Sequence, residues 1–190
     1  MRGRRHSLLR TGTAAIHAAV ERVVDTHGYF ERSDRYRDYL WRMLAFHRRL
    51  DEGMASPALD TLARWRIDGR AAWLAADLSA LGARPEEVLV TRSAAPALAL
   101  PSDPGGVLGI LYVLVGSGLG ACELARRCDR LCLPEGRGRS YLQGLCTNTH
   151  WPTFLALLER EPIACEQQML NGAIGTFTGV LETLTDKSPA

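Results

Sequence analysis

The sequence predicts an all-α fold. Apolar residues recur at helical spacing through six long stretches. Ser, Pro and Gly stand at the ends of those stretches, where helix caps belong. No run longer than a few residues alternates as a strand would. The expected architecture is a compact single domain of six to eight helices over 1–190, with 1–6 and 186–190 as loose ends.

The first stretch, "SLLRTGTAAIHAAVERVVDTHG" (7–28), places Leu9, Thr13, Ile16, His17, Val20 and Val24 on one stripe and stops at Gly28. The second, 33–53, opens on Ser33, closes at Gly53 and buries Tyr36, Tyr39, Leu40, Met43, Leu44 and His47. The third, 56–82, starts with Ser-Pro, ends at Gly82 and has Gly69 as a point of bending. Residues 83–104 hold four of the nine prolines and read as a connector, with at most a short helix at Pro85–Val90. A long helix follows over about 105–130, then a loop, "PEGRGRS" (134–140), and two closing helices near 149–160 and 164–185.

Composition narrows the function. A formal charge of +2 on 190 residues gives no basis for a nucleic-acid partner. The opening "MRGRRHSLLR" is basic, but Arg10 interrupts the apolar run that a secretion signal requires. The best candidate for a membrane span, 107–121, falls short of the roughly 20 apolar residues needed, so no membrane association is expected. Five cysteines are an odd number without a disulfide framework, which suits a reducing cytoplasm. Cys122, Cys128 and Cys132 recur along one helix without zinc-site companions and read as buried thiols.

Two features carry candidate chemistry. His17 has Glu21 one turn on, on the same helix face, where a carboxylate can take the second imidazole N–H and strengthen a metal-ligating histidine. The ordinary alternative is a surface pair. The segment "GILYVLVGSGLGACELARR" (109–127) carries Gly116, Gly118 and Gly120 inside a helix, each costing about 1 kcal/mol relative to alanine. Gly116 and Gly120 share a face without side chains. That face suits a close helix crossing or a planar ligand such as a porphyrin. His27, His47 and His150 lack companions at ligand spacing and read as structural or surface residues. No GxSxG, phosphate-binding loop or dinucleotide fingerprint occurs, and "GSGLGA" lies inside a helix with no strand before it.

Taken together, these segments resemble the heme oxygenase family, and most closely its bacterial, bacteriophytochrome-associated branch. "LRTGTAAIHAAVE" (9–21) looks like the family's opening, and "RAAWLAADLSALG" (70–82) like its mid-chain segment. "GGVLGILYVLVGSGLGA" (105–121) is similar to its glycine-bearing helix, while "WPTFLALLE" (151–159) and "GTFTGVLETL" (175–184) look like its closing helices. The resemblance covers nearly the whole chain in order. It implies heme as both cofactor and substrate, with His17 as the iron ligand and Glu21 as its partner. It also implies that Gly116, Ser117 and Gly120 lie over the opposite heme face, that Thr13 and Ala121 line the site, and that Arg10 meets a propionate. The implied reaction is cleavage of heme by dioxygen to biliverdin, carbon monoxide and ferrous iron. Electrons come from a ferredoxin- or flavodoxin-type donor, and a bacteriophytochrome is an acceptor for the bilin. The alternatives are a heme- or bilin-binding sensor on the same fold and a helical thiamin-metabolism relative. The chain departs from the family pattern at Val115, Ser117, Gly118 and Ala121, and the helix over 164–185 has no Lys or Arg for propionates.

Overall fold

The computed structural model describes residues 3–53, 65, 67, 69–84, 87, 98, 101, 103–134, 137–147 and 150–186. Among them are eight α-helices and no strand. They are α1 (Arg4–Gly12), α2 (Ala14–Thr26), α3 (Ser33–Gly53), α4 (Arg70–Ala80), α5 (Pro104–Arg127), α6 (Ser140–Thr147), α7 (Trp151–Arg160) and α8 (Glu166–Thr185). A single 3-10 turn, Cys128–Arg130, extends α5.

Helix α8 is the axis of the fold. It packs along α5 over most of its length and also touches α1, α2 and α3. Glycine makes the α5–α8 crossing close. A Cβ on Gly109 would run into the Met169 carbonyl, and one on Gly172 would run into the Gly106 carbonyl, so the two backbones touch directly. Helix α5 starts cleanly because Asp103 caps it, accepting the Gly106 N–H at 2.9 Å, with Pro104 in the first turn. On its other sides α5 meets α6 and α7, α3 pairs with α4, and α4 reaches α6. The core between them includes Leu40, Leu44, Leu74, Leu78, Ile110, Leu111, Phe154 and Met169, all essentially inaccessible to solvent.

Several expectations need correcting. The stretch 7–28 is two helices, not one: the chain breaks at Thr13, whose hydroxyl turns back to donate to the Leu9 carbonyl at 2.7 Å. Residues 3–6 are not a loose end. The Arg5 guanidinium donates to the Leu158 and Glu161 carbonyls at 2.8 and 2.7 Å, and the Arg5 and His6 N–H groups both donate to the Glu159 carboxylate. Gly69 does not bend a helix. Its φ of +82° forms a left-handed start immediately before α4, a conformation only glycine adopts cheaply. Of the expected helix 56–82, positions 56–64, 66 and 68 lie outside the described residues, as do most of the connector, all of its expected short helix except Glu87, and the end 187–190. Helix α6 stands between the expected loop and the helix at 151.

The membrane expectation also changes in part. By length and composition the helical stretch from Pro104 to Arg130 is long and apolar enough to cross a bilayer. In this fold more than half of its most apolar window is buried against other helices. Cys122 is not a thiol: it forms a disulfide with Cys146 that ties α5 to α6, with Cα atoms 4.9 Å apart. Cys128 is a buried thiol as expected, whereas Cys132 lies past the helix end and is exposed, as is Cys165.

Candidate functional site

Helices α2 and α5 both pack on α8. They come together at two places. At one end Tyr112 of α5 lies near Thr13, just ahead of α2. At the other end Arg127 of α5 pairs with Asp25 of α2 at 2.7 Å. Thr13 and Asp25 are twelve residues apart, about 18 Å along a helix. Between these places the α2 side carries Thr13, at the break before the helix, then His17, Glu21 and Asp25 at steps of four, and α5 carries Tyr112, Gly116, Gly120, Glu123 and Arg127 at steps of three or four. The strip between the two rows, with α8 packed against both helices, is the candidate cleft.

His17 sits in this cleft. Although its sequence neighbours on the stripe, Leu9, Thr13 and Val24, are buried, the His17 side chain is 55% exposed. Its Nδ1 lies 3.6 Å from the Glu21 carboxylate, and its ring stands edge-on to Phe177 of α8 with centroids 5.5 Å apart. With Nδ1 turned to a carboxylate, Nε2 is the nitrogen left to bind a metal.

The opposite wall divides the glycines by job. Gly120 is exposed, and a Cβ there would meet nothing within 4 Å. Gly116 faces the Trp151 indole, whose Cζ3 would stand 3.2 Å from a Cβ. Trp151 in turn gathers Tyr112, His6 and Phe154 into an aromatic group at the Tyr112 end of the cleft. Arg10 is at this end too, where its charge offsets part of the upward push that burial gives the Tyr112 phenol. Leu119, between the glycines, is 54% exposed and is the one large apolar side chain so exposed among the described residues. Gly118 and Val115 point into the interior, as does Ala121, which belongs to the apolar core and not to the cleft face.

Ser117 lies at the flank of the glycine face. Its hydroxyl donates to the Leu114 carbonyl at 2.7 Å. Behind it is a polar cluster that the sequence reading did not single out. Arg70 is buried, with 7% of its surface exposed. It donates to the Leu114 carbonyl at 2.8 Å and reaches the Ser117 hydroxyl at 3.5 Å. His47, 2% exposed, meets the Tyr141 hydroxyl at 3.1 Å through Nε2. Burial, reinforced by the nearby Arg70 charge, holds the His47 imidazole well below its ordinary pKa and therefore neutral. Burial likewise pushes the Tyr141 phenol up to about 12. The signal for Arg70 was present in the sequence: Arg70, Leu74, Asp77 and Leu78 fall at i, i+4, i+7 and i+8, so two charged residues share the apolar stripe of α4.

Among the described residues no three His, Cys, Asp or Glu side chains gather as a metal site. A metal at His17 therefore needs a carrier that brings its own donors, as a porphyrin does. The open face at Gly120, the outward ring of His17 and the cationic Arg10 end fit such a flat, dianionic ligand.

Fold and site together define the class: an all-helical protein with a histidine-bearing cleft between two end-tied helices. No protein-family model matches the chain, and no curated protein matches it at a significant level.

Proposed function

We propose that this protein binds heme in the α2–α5 cleft and is a heme oxygenase, cleaving heme to biliverdin with release of carbon monoxide and ferrous iron. The observation that carries the reading is His17: a half-exposed imidazole with Nδ1 toward Glu21, on the wall opposite the open face at Gly120. Heme, once bound, supplies both the iron that activates dioxygen and the macrocycle that is oxidised. The chain's own part is positioning. Glu21 sits on the Nδ1 side of the His17 ring and leaves Nε2 to face a ligand. Gly120 removes the bulk that would hold a planar ligand away from the α5 backbone. Arg10 at the Tyr112 end offers a guanidinium to a propionate. Ser117 offers a neutral hydroxyl beside the glycine face.

The reaction needs dioxygen and an external reductant, for which a ferredoxin- or flavodoxin-type donor is the proposed partner, with a bacteriophytochrome as bilin acceptor. A cytoplasmic setting belongs to the same reading; the Cys122–Cys146 disulfide runs against it, since such bonds persist chiefly in oxidising compartments.

The test is a visible-absorption titration of the purified protein with hemin, then reductant in air. A Soret band saturating at one heme per chain, followed by its loss and a broad red bilin band, is the expected outcome. A saturable but persistent Soret band with a competent donor would leave a heme- or bilin-binding sensor as the function. His17→Ala is expected to abolish turnover and shift the ferric spectrum, and an unchanged spectrum would remove His17 as the ligand.

A further inference from the structure

Arg70 is a buried cation without a counter-charge. Among the described residues no carboxylate pairs with it, and its Nε, shielded from solvent, has no hydrogen-bond partner. Its neighbours offer no negative charge: His47 is neutral, and the Tyr141 phenol keeps its proton. An unpaired buried guanidinium is costly, and removing it in favour of an apolar side chain is commonly neutral or stabilising. The contacts it does make all lead toward the cleft. One nitrogen holds the Leu114 carbonyl, and another reaches the Ser117 oxygen.

The Ser117 side chain is exposed while Arg70 is buried. The Leu114 carbonyl accepts from both. The hydroxyl can therefore leave that carbonyl and donate outward, because Arg70 keeps the carbonyl satisfied. Arg70 remains behind the serine oxygen as a donor and a fixed positive charge. A group built this way binds an anion better than a neutral molecule, since the guanidinium acts through poorly polarisable surroundings.

We propose that Arg70 is a positioning residue that makes Ser117 a donor for a small anion held at the glycine face of α5. This deepens the heme-binding reading and rests on it: the anion would be one that approaches the heme from the Gly120 side. Tyr141 and His47, bonded to each other and both uncharged, leave the nearby Arg70 charge uncompensated.

The experiment compares azide affinity of the ferric, hemin-loaded protein with carbon monoxide affinity of its ferrous form, in wild type, Arg70→Met and Ser117→Ala. Azide binding is expected to weaken about tenfold in both variants, with carbon monoxide affinity unchanged within about twofold, because only the anion feels the charge. Ser117 is on the surface, so the serine variant keeps the test alive if Arg70→Met fails to fold. Normal hemin uptake with azide affinity unchanged in Ser117→Ala would overturn this inference alone. Azide and carbon monoxide affinities falling together would also overturn it, by showing a general distortion. Failure of the wild type to take up hemin would overturn the heme reading, and this inference with it.

Discussion

The Asp77 carboxylate accepts the backbone N–H of Tyr141 at 2.8 Å, and its other oxygen accepts that of Ser140 at the same distance. A residue of α4 thus caps the N-terminus of α6, satisfying donors that a helix start leaves bare. It also sets Tyr141 where its hydroxyl meets His47. Asp77→Ala is expected to cost about 2 kcal/mol in chemical denaturation.

The same carboxylate gives a pH signature. Burial raises the Asp77 pKa, and the two backbone donors recover only part of that shift. The folded protein therefore holds this proton more tightly than the unfolded chain does. The contribution of this group is fully present below the unfolded carboxyl pKa of about 4 and is lost as pH rises through the raised folded value. Denaturation of Asp77→Asn beside wild type across that range is expected to show a flatter slope in the variant.

Two glycines on α5 are expected to respond oppositely. Gly109→Ala places a methyl against the Met169 backbone, which has no flexible end to give, so the α5–α8 crossing must open and the melting temperature fall by several degrees. Gly120→Leu meets open space and leaves the fold standing, yet fills the cleft face. Its expected signature is unchanged thermal stability with hemin affinity lost. Full hemin binding in that variant would place the ligand elsewhere.

The Cys122–Cys146 bond closes a loop of 24 residues and is expected to contribute about 3 kcal/mol. Cys146→Ser, melted without reductant, is the measurement. Alkylation of the unreduced, denatured protein is expected to label three cysteines, Cys128, Cys132 and Cys165.

The Asp25–Arg127 tie is exposed, and such pairs are worth about 0–1 kcal/mol. Arg127→Ala is therefore expected to leave stability unchanged. If the tie bounds the cleft, hemin dissociation, followed by transfer to apomyoglobin, speeds up in the variant.

The long, strongly periodic helices were legible because their burial follows from spacing alone: the helix over 33–53 has the bounds that Ser33 and Gly53 indicate. The break at Thr13 was not legible, since the apolar stripe continues through it and only the hydroxyl's bond to Leu9 marks the interruption. Helix α6 was missed for a similar reason: its N-terminal cap comes from Asp77, 63 positions away, and not from a neighbouring residue. In the site, His17 and Glu21 could be paired from a one-turn spacing. The separate jobs of Gly109, Gly116 and Gly120 could not, because only the partner helix decides which glycine is covered. Arg70 shared the apolar stripe of α4 with Leu74 and Leu78, but an arginine at a helix start reads as solvated, so its burial was not drawn from that position.

The Arg5 clasp onto the end of α7 joins residues more than 150 positions apart, and α2 has its main partner in α8. Neither cleft wall is fixed until a ribosome has made and released nearly all of residues 5–185. At about 5–20 residues per second, α2 waits of the order of ten seconds with its apolar stripe uncovered. Any ligand held between α2 and α5 would thus be taken up after translation, and the nascent chain is the stage at which this protein most needs a chaperone.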